Sequence, residues 1–195
     1  MALMRSSINS NGGSGNWLGV QEITFHGVED HSSKYDWADV YLVCEFTTPT
    51  SKFPRIMKIY GDFEKNPDGT IQDGKLLKKI TYLFDALGEQ GGVNQYGKWC
   101  DENENEISDI CAHLTSKYKD VKCTGYVFEE LAKNGKTYTR LHHYCKPGFD
   151  EKSKKDVESY MDYMRRKGYL KEPSNNPTTA SQVTVDANGI DIANL

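Results

Sequence analysis

A mainly β fold with helices is predicted by three observations. The segment Tyr35 to Thr48 (YDWADVYLVCEFTT) alternates, with apolar Val40, Leu42, Cys44 and Phe46 at even positions. The segment Lys75 to Gly88 (KLLKKITYLFDALG) places Leu76, Ile80, Leu83, Phe84 and Leu87 at helical spacing, with Gly88 as a stop signal. The runs Val121 to Leu131 and Thr137 to Cys145 flank Lys133-Asn134-Gly135-Lys136, and Asn-Gly is a preferred hairpin turn.

In chain order these patterns give three strand-like runs, a helix and two further strand-like runs. That is the order of a five-stranded OB-fold-like barrel with a helical connection between strands 3 and 4. The first run, Trp17 to Val28 (WLGVQEITFHGV), is β-branched and aromatic, with Gly19 placed as a bulge. The second is Tyr35 to Thr48, whose odd positions Tyr35, Trp37, Asp39, Tyr41, Val43 and Glu45 make a mixed polar and aromatic outer face. Pro49-Thr50-Ser51 turns the chain into Phe53 to Phe63, where Met57 and Ile59 alternate with Ile56, Lys58 and Tyr60, and Pro54 marks an edge.

After the turn Asn66-Pro67-Asp68-Gly69 comes the Lys75 to Gly88 helix, then a loop from Glu89 to Asn103. Ile107, Ile110, Cys111 and Leu114 predict a second helix over Glu104 to Tyr118. Past Pro147-Gly148, Asp150 to Gly168 reads as an amphipathic helix with Val157, Tyr160, Met161 and Met164 on one side. The expected organisation is a flexible leader (1–15), an OB-fold-like domain (16–148), a C-terminal helix (149–170) and a disordered Pro-, Asn-, Thr- and Ser-rich tail (171–195).

Composition narrows the function classes. No apolar run approaches the ~18 residues a membrane span needs, and the first residues lack the apolar core of a signal peptide, so a cytoplasmic protein without membrane partners is expected. Five widely spaced cysteines without a CxxC, in a chain long enough to build a core, read as reduced and mostly buried thiols. The net charge of −4 opposes polyanion binding in bulk. The 24 basic residues can nevertheless gather on one face, and a local field steers a polyanion.

Strand alternation sets aromatic and basic residues outward on neighbouring strands: Trp37 and Tyr41, Lys58 and Tyr60, Lys122 and Tyr126, and Tyr138, Arg140, His142 and Tyr144. Bases stack on such rings at ~1–3 kcal/mol each without needing a particular sequence, while Lys and Arg follow the phosphates. These ten residues are the candidate nucleic-acid-binding set. The competing reading is that several of them lie in a core beneath a later helix.

Other chemistries find weaker support. A zinc site could draw on Cys100, Cys111, Cys123, His142, His143 and Cys145, but short-spaced ligand pairs are missing and alternation sends His142 and His143 to opposite faces. The segment Glu64 to Lys75 imitates a calcium loop, yet Lys75 stands at the twelfth position and Pro67 interrupts the frame. Asp101, Glu102, Glu104 and Glu106 read as acids favourably placed ahead of a helix rather than as a nuclease centre. No GxSxG, HExxH, P-loop or dinucleotide turn occurs, so no enzyme, metal or cofactor is expected.

The strand Asp39-Val40-Tyr41-Leu42-Val43-Cys44-Glu45-Phe46, the helix ending Phe84-Asp85-Ala86-Leu87-Gly88 and the hairpin Asn134-Gly135-Lys136-Thr137-Tyr138-Thr139-Arg140-Leu141 resemble phage-encoded OB-fold single-stranded DNA-binding proteins. The resemblance covers residues 17 to 146. It implies sequence-tolerant binding of displaced strands during phage DNA replication and recombination in the host cytoplasm, with replication or recombination proteins recruited through the tail. Tails of that family are often strongly acidic, whereas here only Asp186, Asp191 and the terminal carboxylate follow Glu172, with Ile190, Ile192 and Leu195 as apolar additions. The rival reading is a protein-interaction module that uses the same aromatic face. A metal-dependent nuclease or zinc enzyme is the third.

Overall fold

The computed structural model describes residues 18–132 and 135–170. The expected leader and tail lie outside these residues, as do Lys133 and Asn134 of the hairpin turn. Strand β1 (Gly19–Asp30) pairs antiparallel with β2 (Val40–Thr48), and β2 with β3 (Ser51–Gly61). Helix α1 (Lys75–Leu87) follows, then the two-residue strands β4 (Gly92–Val93) and β5 (Trp99–Cys100), and helix α2 (Ile110–Tyr118). Strand β6 (Lys122–Leu131) returns to β1 and forms a hairpin with β7 (Thr137–Leu141), and β8 (Lys146–Pro147) adds to β6. Helix α3 (Glu151–Arg166) closes the described chain.

The result is one six-stranded antiparallel sheet in the order β3-β2-β1-β6-β7, with β8 beside β6. The two outer strands, β3 and β7, curve toward each other, but no hydrogen-bonded ladder joins them. The expected closed five-stranded barrel is therefore not formed. β7 ends at Leu141, four residues short of the expected Cys145.

One core fills the space between the concave sheet and the first two helices. The even positions of β2 (Val40, Leu42, Cys44, Phe46) and Met57 and Ile59 of β3 are buried as their alternation requires. Helix α1 buries Leu76, Ile80, Leu83, Phe84 and Leu87 against them, each worth about 1.5–3 kcal/mol of apolar transfer. Gly88 takes the left-handed conformation (φ 86°) that closes the helix, as its place in the sequence predicts. A second, smaller core of Tyr126, Val157 and Met161 fixes α3 to β6.

Three local expectations change. The irregularity in β1 falls between Phe25 and Gly27 rather than at Gly19. The second strand begins at Val40 rather than Tyr35, because Asp30 accepts from the Ser32 backbone N–H and hydroxyl and nucleates a 3-10 turn at Ser32–Lys34. The second helix begins at Ile110 rather than Glu104, because Asp109 caps it by accepting from the Ala112 N–H at 2.9 Å. Asp101, Glu102, Glu104 and Glu106 thus lie well ahead of the helix. Asp101 serves its own loop, accepting from the N–H groups of Asn103 and Asn105 at 2.9 Å.

Among the described residues no helix is long and apolar enough to cross a membrane. Of the five free cysteines four are buried and Cys111 is half-buried.

Candidate nucleic-acid interface

The β1–β2 loop carries Tyr35 and Trp37 to the rim of the outer face of β2 and β3. Asp39 anchors the end of this loop, accepting from the Phe63 N–H at 2.9 Å and pairing with Lys65 at 3.2 Å. The rings meet in register, because Tyr41 of β2 is directly opposite Tyr60 of β3. Tyr35 stacks on Tyr41 at 4.4 Å and Tyr41 on Tyr60 at 5.2 Å, and Trp37 stands edge-on to Tyr60 at 5.8 Å. The two faces of Tyr41 are thus taken by neighbouring rings, and only 8% of it is exposed. Trp37 (54%) and Tyr60 (42%) keep open surface.

These rings form one wall of a cleft of about 720 Å³ along the unladdered seam between β3 and β7. Lys58 of β3, Lys79 of α1 and Arg140 of β7 line it, against a single carboxylate, Glu130, which Arg140 engages at 3.1 Å. Lys79 reaches the Tyr60 carbonyl at 3.3 Å and lies 5.2 Å from the centre of its ring. Burial, reinforced by Lys75, lowers the pKa of the Lys79 ammonium. The cleft is locally cationic in a chain whose net charge is −4.

Six of the ten candidate residues line this cleft: Trp37, Tyr41, Lys58, Tyr60, Arg140 and His142. Tyr138 lies beyond it on β7, exposed, with the Arg140 guanidinium 5.1 Å from its ring centre. The other three do not join them. Lys122 sits at the other end of β6, paired with Glu22 at 2.9 Å. Tyr126 is buried beneath α3, where Arg165 donates to its hydroxyl. Tyr144 is covered by Tyr160 of α3, the two rings stacked at 3.9 Å.

The histidine pair departs from the expected alternation. With β7 ending at Leu141, the chain bends so that the Tyr144 N–H donates to His142 Nδ1 at 3.0 Å, and the His142 and His143 rings stack at 4.2 Å instead of facing apart. Burial lowers the pKa of His142 to about 4, aided by the charge of Lys79. The same burial, with His142 and then Lys79 adding, takes His143 to about 3. Both imidazoles are neutral at pH 7, so the positive charge of the cleft comes from Lys58, Lys79 and Arg140.

Among the described residues no three His, Cys, Asp or Glu side chains are placed to hold a metal ion. The Cys123 thiol points at the Ala86 carbonyl and the Cys145 thiol at those of Tyr82 and His143. In the calcium-like segment, Asp68 accepts from the Thr70 N–H and hydroxyl within its own turn, and Glu64 accepts from the Lys75 N–H at the start of α1.

Sequence reasoning missed Lys79, which the helical pattern alone left on an unassigned side of α1. It also missed Glu89. This carboxylate, its side chain 1% exposed, accepts from the Gly91 N–H, His113, the Tyr118 hydroxyl and Lys117, and ties the end of α1 to α2. Burial alone would raise its pKa, but those donors outweigh burial and bring it to about 2.

No protein-family model, curated sequence or solved structure matches the chain.

Proposed function

We propose that the protein binds single-stranded DNA on this cleft, sequence-tolerantly and without catalysis. The observation that carries the reading is the pairing of open aromatic surface at Trp37 and Tyr60 with Lys58, Lys79 and Arg140 around one groove. Rings of this kind offer stacking to any base, and the cations suit a phosphate chain passing alongside.

The architecture supports the same reading. Taking β1, β2, β3, β6 and β7 as strands one to five, their order 3-2-1-4-5 with the outer pair converging is that of an opened OB-like sheet. In that fold the strand 2–3 face and the loops after strands 1 and 4 carry oligonucleotides. Trp37 and Tyr35 lie on the first of these loops, and Arg140 just beyond the second. Phage DNA replication and recombination in the host cytoplasm is the setting we infer from the resemblance of the β2, α1 and hairpin segments.

Fluorescence anisotropy of a labelled oligo-dT, repeated at rising salt and against duplex, tests the proposal. The expected result is tight low-salt binding that weakens linearly in log–log form and disfavours duplex. No binding at low salt overturns it and transfers the aromatic face to a protein partner.

A further inference from the structure

The cleft has a wall that the sheet does not supply. Met164, Tyr169 and Leu170, from the end of α3 and the turn beyond it, line the groove together with Trp37 and Tyr35. Their placement is built by the helix terminus. Gly168 is left-handed (φ 70°), its N–H donates to the Arg165 carbonyl, and the Tyr169 N–H donates back to the Met164 carbonyl at 2.9 Å. This is the six-to-one bond of a Schellman closure, which brings the residue after the glycine against the last turn of the helix. Tyr169 is 65% exposed there, a large aromatic held by backbone bonds yet left uncovered.

The same turn is basic. Arg165 is engaged by Asp162 and by the Tyr126 hydroxyl, whereas Arg166 is exposed in a recess shared with Ser159 and Asp162, and Lys167 is exposed 6.0 Å from the centre of the Tyr163 ring. Attraction between cations and a helix C-terminus accounts for charge at this place. It does not account for two open tyrosines next to it. Alternating ring and cation is the composition already found on the β2–β3 wall.

Resting on the single-strand reading above, we propose that the C-terminal turn of α3 is the second half of the binding track. A strand lying on Trp37 and Tyr60 crosses the β3–β7 seam and continues over Tyr169 toward Arg166 and Lys167. α3 is then a ligand-binding element: Tyr169 meets bases inside the cleft, while Arg166 and Lys167, outside its lining, meet phosphates only of a strand long enough to leave it.

The test compares two dT oligomers, of about 6 and about 20 nucleotides, within and beyond the span of one OB-like face. The proteins are the full chain, the R166E/K167E variant, Y169A, and K152E/K155E, which makes the same charge change at the other end of α3. Expected are an R166E/K167E loss of at least about tenfold for the long oligomer, with a salt slope shallower by roughly 0.7 per lost phosphate contact. R166E/K167E should change short-oligomer binding little, K152E/K155E should change neither length, and Y169A should lower affinity for both lengths without altering the salt slope. Equal losses for both lengths in R166E/K167E, or equal effects of the two charge pairs, overturn the extended track and leave the sheet site standing. Failure of the unaltered protein to bind either oligomer overturns the single-strand reading itself.

Discussion

Two tyrosine clusters in this molecule are built from the same residue types and reach opposite ends. On the β2–β3 face, Tyr35, Tyr41 and Tyr60 stack in a row with Trp37 edge-on to Tyr60, and Trp37 and Tyr60 keep ring surface in the open. On the β7–β8 side, Tyr160 of α3 stacks over Tyr144, and Tyr82 of α1 stacks on His143 and meets both tyrosines edge-on. Burial, with the neighbouring tyrosines, pushes the Tyr160 hydroxyl up to about 12. What separates the clusters is whether a later element comes back over the face.

The contrast breaks most sharply at the lid. Met161 is fully buried between α3 and β6, so M161A should cost about 2–5 kcal/mol and free the covered tyrosines. Urea unfolding followed by tyrosine fluorescence measures both effects. An unchanged midpoint would mean that α3 does not stabilise the domain.

Acid separates the groups that serve the scaffold from those that serve the cleft. The folded pKa values of His142 and His143 lie below the ordinary 6.5, so the unfolded chain takes up those protons first. Stability is therefore complete above about pH 6.5 and falls as the pH drops toward 4 and 3. Glu89, lowered from 4.5 to about 2, contributes stability that is present above pH 4.5 and lost between there and 2, worth on the order of 3 kcal/mol. Thermal midpoints across pH 3 to 8 should show both declines, E89Q removing the lower and H142F/H143F flattening the upper.

Trp37 sharpens the comparison from the open side. W37A should weaken oligonucleotide binding by about 1–3 kcal/mol while leaving the unfolding midpoint nearly in place. The more peripheral Y138A should fall at the lower end of that range. A loss of folding in either variant would place that ring in the scaffold. The smallest effect is expected at Lys58, where K58A should lower the salt slope by roughly 0.7 with little change in selectivity.

Where periodicity and chain punctuation agree, the sequence was legible. The ends of α1, the buried face of β2 and the β6–β7 hairpin are where alternation, helical spacing, Gly88 and Asn-Gly put them. Alternation failed at two kinds of place. It told which way Tyr126 leaves the sheet but not that α3 would cover it, since that depends on where a much later helix docks. It failed again at His142 and His143, because the rule holds only while the chain remains a strand. Lys79 and Glu89 were invisible for a third reason: their roles come from partners on other elements, Tyr60 and α2, with no local pattern to announce them.

The unladdered seam between β3 and β7 gives the groove mechanical softness. Among the described residues no backbone hydrogen bonds span it, so opening it leaves every rung of the sheet intact. Under the proposed function, a strand would be admitted from the side along its length, with no free end to thread. Amide exchange supplies a clock for that motion: β3 amides facing the seam should exchange far faster than those bonded to β2, and should slow when the groove is filled.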